Sequence, residues 1–113
     1  MPILRRTDSA ESMGVERVRT ADDPALSVVI PSVPESDHGP TVACLRDQTI
    51  EAAYEVIVVD DAGRDRSEAR NVGLEAAAAD VVALTDDDTR PPRNWLAVAH
   101  RAFESDPDLI CLE

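Results

Sequence analysis

Apolar runs that suit buried strands alternate along this chain with mixed stretches that suit amphipathic helices. Leu26-Ser27-Val28-Val29-Ile30-Pro31 is a β-branched run closed by proline and predicts a buried strand ending at Pro31. After a polar loop, Pro40 opens a predicted helix over 40–49 with Val42, Leu45 and Cys44 turned inward. Tyr54-Glu55-Val56-Ile57-Val58-Val59-Asp60-Asp61 is the strongest strand signal, with four consecutive β-branched residues expected to be buried on both faces. A helix is predicted over 67–79, where Ala69, Val72, Gly73 and Ala76 form a small-residue face suited to close packing on a sheet. A third strand over 81–85 runs into Asp86-Asp87-Asp88, and a helix follows over 94–104 with Trp95, Ala99 and Ala102 inward, flanked by Leu96 and Phe103. A fourth strand begins at 109–112. Residues 1–24 are polar and without sustained periodicity; they are expected to be a disordered tail preceding one domain over 25–113.

The order β-α-β-α-β-α-β places the chain in the α/β class, with parallel strands and helices covering the sheet. In such sheets ligands bind beyond the carboxyl ends of the strands, near a switch in strand order. The loop after the first strand, Asp60-Asp61 and Asp86-Asp87-Asp88 all fall at carboxyl ends and are expected to share one rim.

Charge narrows the partners. The chain has 113 residues and a formal net charge of -12; its 11 basic residues are all arginine, set against 23 acids. Nucleic acid and anionic lipid need a basic footprint, so neither is an expected partner. Many acids, no lysine and single Phe, Tyr and Trp residues look like a proteome adapted to high salt, and a halophilic source is expected. Cys44 and Cys111 form no C-x-x-C pair and read as small buried hydrophobes in a reducing compartment; with no apolar run of membrane-spanning length, a cytoplasmic location is expected.

Two readings of Asp86-Asp87-Asp88 stand open at this point. The acids form a solvated turn that stops a strand, or alternate carboxylates Asp86 and Asp88 reach one side of an extended turn and hold a hard divalent cation such as Mg²⁺ or Mn²⁺. Arg70 likewise reads either as a surface partner of Glu55 or Glu75 or as a site residue, and Trp95 as a core anchor. His38 and His100 have no partner at ligand spacing and suit exposed or capping roles.

Four segments in register carry a resemblance. Val28-Val29-Ile30-Pro31, Glu55-Val56-Ile57-Val58-Val59-Asp60-Asp61, Ala69-Arg70-Asn71-Val72-Gly73-Leu74 and Asp80-Val81-Val82-Ala83-Leu84-Thr85-Asp86-Asp87-Asp88, followed by Pro92-Arg93-Asn94-Trp95-Leu96, resemble the N-terminal half of family-2 glycosyltransferases. The resemblance implies a three-layer α/β/α, Rossmann-like GT-A fold binding a UDP- or GDP-sugar. It implies that Pro31 and Ser32 border the base, that Asp61, with Asp60 beside it, accepts a hydrogen bond from the base, and that Arg70 lies near base and diphosphate. Asp86 and Asp88 match the outer members of a D-x-D motif holding the cation, with Asp87 also among the nucleotide-sugar contacts. The sequence departs from the family in Ser32-Val33-Pro34 after the first strand and in Ala62-Gly63 after the paired acids.

The family's catalytic base and its acceptor surface, for a lipid-linked or polysaccharide acceptor, lie in a C-terminal half beyond the segments matched here, so the chain is expected to be a truncated member. The alternative is a non-catalytic module that pairs with another chain or with itself through an exposed strand edge. A phosphoacceptor receiver domain needs a lysine beside its acids, which this chain lacks.

Overall fold

The structure, a computed structural model, describes residues 3–5, 15–32, 37–60, 66–106 and 111–112. Its elements in chain order are β1 (Ile3–Arg5), β2 (Val15–Arg19), β3 (Leu26–Ser32), α1 (Gly39–Arg46), β4 (Tyr54–Asp60), α2 (Arg66–Ala76), β5 (Val81–Leu84), α3 (Trp95–Ser105) and β6 (Cys111–Leu112). They form a small α/β domain around one sheet of order β2-β4-β3-β5-β1-β6. No helix among the described residues is long and apolar enough to cross a membrane.

The centre of the sheet is parallel, as the alternation predicted: β3 pairs with β4 on one side and β5 on the other. The edges differ from the expectation. Residues 1–24, read as a disordered tail, supply β1, antiparallel to β5, and β2, antiparallel to β4. The fourth strand, β6, consequently pairs with β1 rather than with a parallel neighbour. These short segments carry too little apolar periodicity to announce themselves; β2 at one edge of the sheet and β1 between β5 and β6 take their order from the strands they pair with.

Alternation along the central strands sorts side chains to two faces. Leu26, Val28, Ile30, Tyr54, Val56, Val58, Val81 and Ala83 pack under α1 and α3, with Val42, Leu45, Leu96, Ala99 and Phe103. Val29, Ile57, Val59, Val82 and Leu84 pack under Ala69 and Ala77 of the α2 segment. β3→β4 and β4→β5 step in opposite directions from the central strand, and α1 and α2 correspondingly lie on opposite faces. The α3 stripe is Leu96, Ala99 and Phe103, with Trp95 half-buried beside it, so the flank rather than the centre of the predicted face carries the tryptophan.

α2 ends at Ala76, not at Ala79 as the alanine run predicted. Ala78 N–H donates to Oε2 of the buried Glu55 at 2.7 Å, and Ala79 N–H donates to Ser27 Oγ at 3.0 Å. Two buried acceptors on the sheet capture amides that would otherwise extend the helix, and tertiary bonding overrides the high propensity of alanine. Glu55 also receives the Ser27 hydroxyl and Arg17 Nε, the latter at 3.2 Å. The β2 register shifts between Arg17 and Arg19. A bulge of this kind redirects successive side chains: Arg17 reaches Glu55 on the α2 face, whereas Arg19 lies over the Tyr54 ring, 3.7 Å from its centroid, on the other.

Candidate functional site

The β3–β4 register sets Ser32 beside Asp60, and Thr85 N–H donates to Val29 O at 3.1 Å just past the end of β5. The segments after β3, β4 and β5 therefore leave the sheet at one end, as the alternation implied. Pro31 is fully buried and follows the last β3–β5 pair, Val29 with Leu84. Val29 and Pro31 share a side of the strand, so the amide proline lacks is one that β5 no longer reaches. The ladder ends there and the chain beyond β5 is released into its acidic turn.

Within that turn the three acids alternate. Asp86 has a half-exposed side chain, Asp87 is buried with 4 % of its surface accessible, and Asp88 is exposed. The carboxylates of Asp86 and Asp88 are thus accessible while Asp87 is turned into the protein. Thr41 Oγ1, on α1, lies 3.0 Å from Asp87 O and within hydrogen-bond distance of Thr89 O. Thr89 Oγ1 lies 2.6 Å from Thr85 Oγ1 and donates to Asp86 O at 3.0 Å.

Arg70 on α2 resolves the choice between its surface partners differently from either expectation: its Nη2 stands 3.8 Å from Asp86 Oδ1. Glu55 is instead occupied by Arg17 at the other end of β4. Ser32 is buried, and its hydroxyl lies 3.2 Å from Nδ1 of the half-buried His38 at the start of α1. Asp60 is exposed at the strand end, and Asp61 lies outside the described residues.

Among the described residues, no three or more His, Cys, Asp or Glu side chains converge as a metal cluster. What the turn offers is a pair of accessible carboxylates, an oxygen-only donor set. That set fits a hard cation that completes its coordination with water or substrate oxygens, and it does not fit a closed structural site. Among the described residues, a cleft of about 410 Å³ lies elsewhere, between residues 49–52 and Ala97, His100, Arg101 and Glu104 of α3. It lies before β4, away from the carboxyl rim, and shares no residue with the acidic turn.

Sequence reasoning missed Thr41 and Thr89, and it gave His38 an exposed or capping role where the residue holds the N-cap position of α1, half-buried, with its ring against Ser32. Thr41 left one signal, a hydroxyl beside Val42 on the inward stripe of α1, where a polar group needs a partner. Thr89 left none, because its partners are distant or ordinary turn residues.

Comparison of the chain with protein-family models, with curated proteins and with solved structures gives no match. Fold and site therefore define a class only: a small α/β domain with a parallel centre and an accessible pair of carboxylates at its carboxyl rim.

Proposed function

We propose that this chain is a glycosyltransferase-like domain of the three-layer, Rossmann-like GT-A type, which binds a nucleotide-diphospho-sugar through Mg²⁺ or Mn²⁺ for transfer of the sugar to an acceptor hydroxyl. The observation that carries the reading is the alternation of Asp86, Asp87 and Asp88, which leaves the outer two carboxylates accessible beyond a central parallel strand.

The chemistry asks three things of these residues. Asp86 and Asp88 hold the cation, since a carboxylate facing a diphosphate directly is repelled. Bound there, the cation supplies Lewis-acid neutralisation of the charge that grows on a departing nucleoside diphosphate. Arg70, 3.8 Å from Asp86, is placed to pair with a phosphate oxygen when its present partner turns to a cation. The resemblance gives Pro31, Ser32, Asp60 and Asp61 to the base side of the site; of these Asp60 is exposed at the end of β4, and Asp87 supports the turn from within.

Calorimetric titration of UDP and GDP, with and without Mn²⁺, tests the reading on the wild type and on Asp86→Ala/Asp88→Ala. Metal-dependent binding that the double substitution abolishes supports it; nucleotide affinity indifferent to metal removes it.

A second reading is a non-catalytic module that pairs with another chain. It is favoured by the position of β6, which has β1 on one side and, among the described residues, no strand on the other. Light scattering coupled to size exclusion separates the readings, since a monomer that binds nucleotide leaves that edge without a role in assembly.

A further inference from the structure

We infer that Thr41 is a positioning residue for the acidic turn: from α1, its buried hydroxyl fixes the backbone around Asp88 and thereby aims the carboxylates of Asp86 and Asp88 outward. The inference rests on the cation-binding reading and says what keeps that site in shape.

Thr41 is 1 % exposed, and its Oγ1 faces the carbonyl oxygens of both Asp87, at 3.0 Å, and Thr89. A hydroxyl carries one proton, so the two carbonyls share it or exchange it. Both carbonyls must point inward to reach a single atom, which leaves the residue after Asp87 as the outward tip of the turn. Asp88 is that residue, and it is exposed.

A second pair of hydroxyls closes the base of the turn. Thr89 Oγ1 donates to Asp86 O at 3.0 Å, so its single proton is committed and the 2.6 Å contact with Thr85 Oγ1 is donated by Thr85. The chain just past α1 is tied to the far end of the same segment: Gln48 Oε1 accepts Leu96 N–H at 3.0 Å, and Gln48 Nε2 donates to Pro92 O at 2.8 Å. The helix and the residues that follow it thus hold the segment at two places, and only the Thr41 contact lies under the carboxylates.

Valine matches threonine in shape but brings no hydroxyl, so Thr41→Val leaves the carbonyls of Asp87 and Thr89 without that buried donor; Thr41→Ser keeps it. Amide hydrogen exchange over residues 85–90 reads the turn without any ligand, and the spin-resonance signal of free Mn²⁺ reads the cation site. We expect Thr41→Val to speed exchange at Asp88 and Thr89 and to weaken Mn²⁺ binding, each about tenfold, the factor that loss of one buried hydrogen bond implies. Thr41→Ser should restore both, a rescue that a packing role for the γ-methyl would not produce. Wild-type exchange in Thr41→Val overturns the inference. If the wild type binds no Mn²⁺, the cation reading falls while exchange still decides the role of Thr41. Should Thr41→Val not fold, Thr41→Ala, which also removes the hydroxyl from the carbonyls of Asp87 and Thr89, takes its place, and unchanged exchange over 85–90 in that variant overturns the inference equally.

Discussion

The guanidinium of Arg70 stands 3.8 Å from Asp86 Oδ1 and joins α2 to the acidic turn across the carboxyl end of the sheet. Both side chains are about half exposed, at 41 % and 48 %, so the pair is worth roughly 0–1 kcal/mol and yields readily to a stronger ligand. Removing the arginine frees a carboxylate for a cation and takes a donor from a phosphate. Arg70→Gln should therefore leave Mn²⁺ affinity unchanged or slightly tighter, while weakening UDP in the presence of Mn²⁺ by about tenfold, as loss of a charge-assisted hydrogen bond requires. Calorimetry on both ligands checks the split, and equal weakening of both contradicts it.

Gly73 is where α2 approaches the sheet most closely. A Cβ built on it would lie 2.2 Å from Cγ1 of Val29, a contact no side chain tolerates. Gly73→Ala must push the helix off β3 or force Val29 out of its rotamer, and it should cost about 1–3 kcal/mol in urea unfolding. Val29→Ala in the same chain should recover part of that loss, so that the two substitutions together are less damaging than their sum.

Glu55 is a carboxylate almost without solvent contact, bonded to Arg17, Ser27 and the amide of Ala78. Glu55→Ala takes the acceptor from the buried Ser27 hydroxyl and from the Ala78 amide, while Arg17, 41 % exposed, keeps Ala76 O, so stability should fall by about 1–3 kcal/mol, the scale for leaving buried donors unsatisfied. The site lies at the other end of β4, so any Glu55→Ala chain that folds should retain Mn²⁺ binding. A stable variant, or one that folds and loses the cation, contradicts this placement.

How far the sequence disclosed all this varies by element. Val56 to Val59 announced a central strand because four β-branched residues leave no polar face, and Gly73 announced close packing by its place in a small-residue stripe. β1 and β2 stayed hidden, since Ile3–Arg5 is only three residues long and Val15–Arg19 mixes arginine and glutamate with two valines, and both are ordered by the strands they pair with. The end of α2 was misjudged because the acceptors that stop it, Glu55 and Ser27, lie 23 and 52 residues away in sequence from the amides they hold. At the rim, the acids were legible as a group, but which carboxylate faces inward depends on Thr41, a partner 46 residues distant from Asp87.

A net charge of -12 on 113 residues repels itself most at low ionic strength, where the screening length is about 10 Å, against about 3 Å in 1 M salt. Thermal unfolding in KCl should accordingly shift to higher temperature between about 0.1 and 1 M salt, in keeping with a halophilic source. A midpoint independent of KCl, or one that falls, contradicts that expectation.

The account turns on the cation lying at the acidic turn and not spread over an acidic surface. Paramagnetic broadening of amide resonances by substoichiometric Mn²⁺, measured in KCl high enough to screen diffuse binding, locates it directly. Broadening centred on Asp86, Asp87, Asp88 and Thr89, extending to Ser32 and Asp60 and absent from Ile50 and His100 at the remote cleft, is the predicted result. Broadening scattered among the surface acids, or centred away from the turn, would contradict the account.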